Sequence, residues 1–301
     1  MRFLSLLVLM TTSLSLSNCS LKTMAVQQMG EIVADGVPAF EKDDDLELIR
    51  DAIPGNLKLL EAMLESDPGN RKIPAILAQM YASYSFAFLE GDLETPGVGD
   101  KAMLKERINR FYERGQRYGE RALIGSNKKC EQGLKVLTEL DSCLSGLDKD
   151  DVPALYWYGF NIAAYMNRNL DSMAALAQGP KMEKVMQRVV ALNESYNFGS
   201  AHLFLMLYYG GRSPMMGGNA KKGDDHYKAM QKLAGTDFLL ADVFYARYVL
   251  VQKDDREGFE KMLKAALARN VDKDKAPQMR LYNSLAKSRA KLYLNSVDNL
   301  F

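Results

Sequence analysis

The stretch Leu60-Glu61-Ala62-Met63-Leu64-Glu65-Ser66-Asp67-Pro68-Gly69-Asn70, followed by Leu77-Ala78 and Tyr81, decides the fold. Its first part reads as the end of a helix that stops at Asp67-Pro68-Gly69-Asn70, where proline withholds a donor and glycine favours a turn. Leu77-Ala78 and Tyr81 then fall at the spacing of the first helix of a tetratricopeptide unit, in which two helices of about 34 residues pack together and stack on the next pair. His202, Leu205-Met206 and Tyr209 repeat that spacing, with Met206 standing where a glycine is usual. Leu240-Ala241-Asp242-Val243-Phe244-Tyr245-Ala246, followed by Phe259, Leu263 and Ala266, supplies a third pair.

Outward from these units the pattern stays helical. Leu57, Leu60, Met63 and Leu64, then Ile73, Ile76, Leu77, Met80, Tyr81 and Tyr84, recur at helical intervals, and no segment sustains strand alternation. Breaks fall at Gly91-Asp92, Pro96-Gly97, Gly125-Ser126-Asn127, Asp151-Val152-Pro153, Gly179-Pro180, Gly210-Gly211, Gly217-Gly218, Gly235-Thr236-Asp237 and Asp254-Asp255. The reading is all-α: ten to twelve helices in antiparallel pairs, with cryptic tetratricopeptide-like repeats forming an α-solenoid-like domain over residues 51–301.

Residues 1–18 have a different character. Arg2 precedes the apolar run Phe3 to Met10 and a Ser/Thr/Leu stretch that ends Leu16-Ser17-Asn18-Cys19, the layout of a secretory signal peptide. The end resembles a lipobox, with Asn18 where Gly or Ala is usual, so Cys19 is the expected lipidation site. Residues 19–50 form the lipidated N-terminus and a linker or first helix, in which Asp43-Asp44-Asp45 suits a solvated helix start. Acyl chains of this kind contribute about 0.8 kcal/mol per buried methylene, enough to hold a protein on a membrane without a spanning helix.

The chain of 301 residues carries 39 Lys+Arg against 38 Asp+Glu, and losing Arg2 with the signal peptide leaves 38 of each. A neutral chain lacks the basic excess that a nucleic-acid partner would require. With 2 His and 3 Cys, a His- or Cys-rich metal site is out of reach, and no His-Glu-x-x-His, Gly-x-Ser-x-Gly or Cys-x-x-Cys motif occurs. No enzyme, cofactor, metal or catalytic residue is expected. An extracytoplasmic compartment permits a disulfide between Cys130 and Cys143. The residues between them read as helix, however, and a helix would separate the pair by about 20 Å, whereas a bridge needs α-carbons within about 7 Å. The helical reading leaves them apart, and a break at Gly133 would let them meet.

The segments between the units carry a family resemblance: Tyr81-Ala82-Ser83-Tyr84-Ser85-Phe86-Ala87-Phe88; Arg107, Arg110, Tyr112, Arg114-Gly115 and Tyr118; Asp151-Val152-Pro153-Ala154-Leu155-Tyr156-Trp157; Arg188, Leu192-Asn193, Tyr196 and Gly199; Gly217-Gly218; and His226-Tyr227. In this order and spacing, over residues 35 to 295, the chain resembles the TatT family, the tetratricopeptide-like T component of TRAP transporters. Asn193 stands where an aspartate is more usual. The resemblance implies a lipoprotein on the extracytoplasmic side of a membrane, partnered with a periplasmic solute-binding P component that feeds a permease. It further implies a homotrimer with a pore or groove through each subunit and a small hydrophobic ligand.

Candidate ligand-binding residues come from two aromatic clusters. Tyr156-Trp157-Tyr158 with Asn161 covers more than one helical face, so these residues either line a groove or pack against a neighbouring helix. Tyr208-Tyr209 with Arg212 admits the same two readings, the alternative being a helix that ends on glycine with Arg212 solvated. His202 is a binding residue or a packing residue of its repeat. A general scaffold that holds a peptide in a concave surface is the competing function, but the first helices are apolar and aromatic where a peptide-carboxylate clamp needs Lys, Arg and Asn.

Overall fold

The structure is a computed structural model. It describes residues 2–271 and 276–301, with side chains from residue 21 onward. The side chains of residues 1–20, and with them the Cys19 thiol, lie outside what is described. Numbering the longer helices only, α1 is Arg2–Glu41, α2 Leu46–Ser66, α3 Lys72–Tyr84, α4 Lys101–Ser126, α5 Val152–Arg168, α6 Gly179–Asn193, α7 Tyr196–Gly210, α8 Ala220–Ala234, α9 Leu239–Phe244, α10 Arg256–Ala268 and α11 Arg280–Asn295. The described residues contain no strand. The fold is the all-α array of paired helices expected from the sequence: α3 packs on α4, α4 on α5, α5 on α6, α6 on α7, α7 on α8, and α11 covers α9 and α10.

Local chemistry sets the ends. Asp45, the last of the acidic run, caps α2 by accepting from the amides of Glu47 and Leu48. Asn70 accepts from the amides of Lys72 and Ile73 and starts α3 at the anticipated break. Gly91-Asp92 does not stop the chain: α3 runs on through a π-helical turn at Ser85–Leu89 into a short helix, Glu90–Glu94, and ends just before Pro96. A second π-helical turn, Tyr245–Leu250, extends α9.

The array closes on itself. Tyr282 of α11 donates to Glu41 of α1 at 3.1 Å, and Arg289 of α11 reaches Glu94 at 2.8 Å and the Phe86 carbonyl at 2.8 Å. Two buried cores result, sharing α7 as their common wall: Phe204 and Leu205 belong to one, Leu203 and Met206 to the other. An α-helix buried on opposite faces must be apolar all round, as α7 is over Leu203–Leu207. The large Met206 is accommodated because α7 and α8 make their close approach one turn later. A Cβ on Gly223 would lie 2.6 Å from the Gly210 α-carbon.

Cys130 and Cys143 form a disulfide, with α-carbons 4.5 Å apart, contrary to the continuous helix expected between them. The helix breaks after Cys130–Gly133 and resumes at Leu140–Ser145. Gly133 makes the fold-back possible, since a Cβ there would meet the Cys143 Cβ at 2.7 Å and the Glu139 carbonyl at 2.9 Å.

Candidate ligand channel

Helix α5 divides its aromatic residues between two faces, as a 3.6-residue period requires. Tyr156, Phe160, Ala163, Ala164 and Asn167 look into the space between α5, α7 and the two π-helical turns. Tyr158 and Asn161 look the other way. Asn161 is fully buried, donates to the Ala78 carbonyl at 3.0 Å and lies where a Cβ on Gly115 would come within 2.1 Å of its Oδ1. Tyr158 presses on Gly119 in the same interface. Trp157 sits at the boundary and lines two cavities.

Four cavities form a string in which each shares walls with the next. The central one, about 70 Å³, is bounded by Phe86, Tyr156, Trp157, Phe160, Phe204 and Phe244. Phe86 stacks on Phe244 with ring centroids 5.4 Å apart, and Phe160 meets Phe204 at 4.7 Å. The π-helical turns set these rings: the extra residue per turn rotates the downstream side chains out of α-helical register, a device common at functional sites. The indole N–H of Trp157 is buried without an acceptor; the Tyr196 hydroxyl comes near it but not in hydrogen-bonding geometry.

One end opens beside α1 as a cavity of about 460 Å³, lined by Val37, Glu41, Gln79, Trp157 and Tyr196 to Phe198, with a smaller one of about 90 Å³ against it. The chain reaches this mouth through three successive left-handed residues, Asn197, Phe198 and Gly199 (φ 47°, 59° and 73°). Such a conformation is strained for Phe198. Phe198 stacks on Phe238 at 5.1 Å, which holds it in place. Asn197 joins both sides of the mouth, donating to Tyr156 Oη at 3.0 Å and accepting from Tyr282 Oη at 3.0 Å. Burial pushes the Glu41 carboxyl up despite its bond with Tyr282. The single Tyr282 hydroxyl proton is shared between Glu41 and Asn197, serving one acceptor at a time.

The other end, a cavity of about 90 Å³, lies between α5 and α7 and is lined by Met166, Asn167, Leu170, Met182, Leu207, Tyr208, Arg212, Phe244 and Tyr248, with Glu90 at its base. Glu90 accepts from Tyr112 at 2.7 Å and pairs with Arg168 at 3.1 Å, and Glu94 joins Arg168 to Arg289. Burial works to raise the Glu94 pKa, but the guanidiniums of Arg289 and Arg168 outweigh it and hold the group below its usual value.

Of the residues singled out in the sequence, Tyr156, Trp157, Tyr208 and Arg212 line this string of cavities, while Tyr158 and Asn161 do not. Tyr209 and His202 stand apart, in a polar cluster between α6, α7 and α8. His202 and His226 meet Nδ1 to Nδ1 at 2.8 Å, and His202 Nε2 donates to Glu194 at 3.2 Å. Tyr209 lies parallel to His226 and donates to Glu183. Being on separate helices does not keep the two histidines apart, because α7 and α8 are partners of one repeat. Sequence reasoning overlooked the two π-helical turns, the Phe86–Phe244 contact and the Glu90–Arg168–Glu94–Arg289 cluster, whose members are distant in sequence. Among the described residues no three His, Cys, Asp or Glu side chains are grouped to hold a metal, and no helix is long and apolar enough to cross a membrane.

A closed array of helix pairs around a string of largely apolar cavities defines a helical-repeat protein. The chain belongs to the TRAP transporter T-component family, whose model matches residues 42–301. A protein of Treponema pallidum (strain Nichols), described only as uncharacterized, is 25% identical over 308 residues, covering 95% of this chain and 94% of that protein. The family is an accessory component of transport and not an enzyme class, so the role of this chain is accessory to a TRAP transporter.

Proposed function

We propose that the chain docks a periplasmic solute-binding P component and relays a small apolar ligand through the string of cavities, on the extracytoplasmic side of a membrane to which a lipid on Cys19 holds it. The observation that carries this reading is the continuity of the lining. Phe86, Phe204, Leu207 and Phe244 are common to the central and Arg212-side cavities, and Trp157 and Asn197 to the central cavity and the wide mouth. Tyr156, Trp157, Tyr208 and Arg212 form part of the ligand path, Tyr158 and Asn161 anchor α5 behind it, and His202 and Tyr209 pack apart from it. Passage requires the four shared rings and side chains to part, so ligand and ring motion are coupled.

The test is a binding assay of the chain against a TRAP-type periplasmic solute-binding protein from the same organism, together with the fluorescence of Trp157, the single tryptophan. A complex at tens of micromolar and a Trp157 response to an apolar probe are expected. No complex and a silent Trp157 would overturn the reading. Replacing Cys19 by Ala should move the protein from the membrane to the soluble fraction, and sedimentation should report a homotrimer.

A further inference from the structure

Charges at the narrow end of the string do not balance. Three guanidiniums, Arg168, Arg247 and Arg289, act on the carboxylate of Glu94, Arg168 also pairs with Glu90, and a fourth, Arg212, lines the same cavity as Glu90. Both carboxylates are already engaged, Glu90 by Tyr112 and Arg168, Glu94 by Arg168 and Arg289. Arg247 lies over the rings of Tyr248 and Tyr293, and Arg212 lies 4.2 Å from the centroid of Tyr208 with Met166 Sδ at 3.0 Å. Among the described residues neither has a carboxylate within ion-pair distance. Glu183, the acid that acts on Tyr208, is taken up by Tyr209.

Arg212 is therefore a half-buried cation with soft, uncharged neighbours. Burial works against its charge, with Tyr208 opposing the shift, yet a guanidinium does not lose its proton in a protein. A desolvated charge of this kind is costly unless an anion completes it. The backbone holds it still: Gly211 donates to the Leu207 carbonyl at 3.0 Å, and a Cβ on Gly218 would come within 2.0 Å of the Arg212 carbonyl oxygen. Next to the guanidinium the cavity turns apolar, along Met166, Leu207, Phe204, Phe86 and Phe244, and Leu170 at its rim is 57% exposed.

Resting on the channel reading above, we propose that this end recognises a single-chain anionic amphiphile, a fatty carboxylate, with the carboxylate on Arg212 and the alkyl tail along the Phe86–Phe204–Phe244 wall. A planar fork of donors fits a carboxylate. The path is narrow, about 90 Å³ beside Arg212 and about 70 Å³ in the central cavity into which the tail would continue, which favours one alkyl chain over two.

Calorimetric titration of the full chain with decanoate and with decanol at pH 8 tests this. The two probes share a tail and differ at the head. Decanoate should bind at least tenfold more tightly than decanol, Arg212→Gln should remove that preference, and Arg212→Lys should keep part of it. Equal affinity of the wild-type chain for both probes overturns the headgroup assignment and leaves the apolar channel standing. Binding of neither probe overturns the channel reading itself. A preference for decanoate that survives Arg212→Gln places the anion site elsewhere and overturns the assignment to Arg212. The wild-type comparison needs no variant, so a folding defect in Arg212→Gln leaves the question decidable.

Discussion

Gly115 shows how one missing Cβ directs a whole helix face. A methyl group there would fall 2.1 Å from Asn161 Oδ1 and 2.4 Å from Asn161 Cγ, so α4 and α5 approach this closely only over glycine. Asn161 spends its amide N–H groups on the Ala78 carbonyl and the Trp157 carbonyl at 3.0 and 2.7 Å, which ties α3, α4 and α5 at one point. Turning Asn161 and Tyr158 into this joint is what leaves Tyr156 and Phe160 facing the cavities. Gly115→Ala should lower the free energy of unfolding by about 2 to 3 kcal/mol through overpacking, a fall of roughly 5 °C in Tm. An unchanged midpoint would mean that the two helices do not meet as described.

Among the elements, the segment from Cys130 to Cys143 and the α7–α8 pair make separate predictions. A disulfide closing a loop of this length contributes about 3 kcal/mol, mostly by restricting the unfolded chain. Reduction, or Cys143→Ser, should therefore lower the midpoint of chemical unfolding by a corresponding amount, and insensitivity to reductant would contradict the bridge. In the α7–α8 pair, burial first and then the neighbouring His202 push the His226 imidazole down to about 4, with Lys222 acting the same way and Asp225 and Glu183 opposing. Glu194 faces the pair from the end of α6. The unfolded chain takes up a proton on this residue near pH 6.5, whereas the folded chain resists until about 4. The contribution is thus complete above pH 6.5 and is lost as pH falls through the window between the two values. Because His226 is only half-buried, solvent screens the effect to about 1 kcal/mol. Urea unfolding at pH 7 and pH 5 should show that extra loss in the wild type and not in His226→Gln; equal pH dependence in both would rule it out. These elements also mark where the sequence was legible. Helices and their pairing followed from periodicity at Leu77, Tyr81 and Tyr209, and the stop at Asp67-Pro68 followed from chemistry that acts within a few residues. The π-helical turns at Ser85 and Tyr245 were not visible, because an extra residue in a helix is stabilised by distant partners such as the Arg289 bond to the Phe86 carbonyl. Of the candidate site, Tyr156, Trp157, Tyr208 and Arg212 could be found as aromatic and cationic clusters. Which face Tyr156 and Trp157 would take depended on Gly115 and Gly119, about forty residues away and on another helix.

For the whole molecule, a formal net charge of +1 is a sum, and a sum is blind to where charges sit. Arg107, Arg110, Arg114, Arg117 and Arg121 succeed one another along α4 at intervals of three and four residues, which places them on one face over about 21 Å. All five are exposed. Only Arg110 has an ion pair within the helix, with Glu106 at 3.1 Å; Arg114 faces Glu61, which is already bonded to Lys58, Tyr81 and Tyr118. The molecule is consequently neutral at a distance and basic along one edge, over a length greater than the Debye length of about 8 Å at physiological salt. A flat anionic surface should sense the edge and not the total. The full chain should be retained on a cation exchanger at pH 8 and low salt, although its acidic and basic residues nearly cancel. Replacing Arg110, Arg114 and Arg117 together by Gln removes three charges from the stripe and should send the protein to the flow-through, whereas replacing three lysines scattered elsewhere, such as Lys149, Lys228 and Lys264, should shift elution far less. Equal losses from the two triple variants would show that retention depends on net charge and that the stripe has no field of its own.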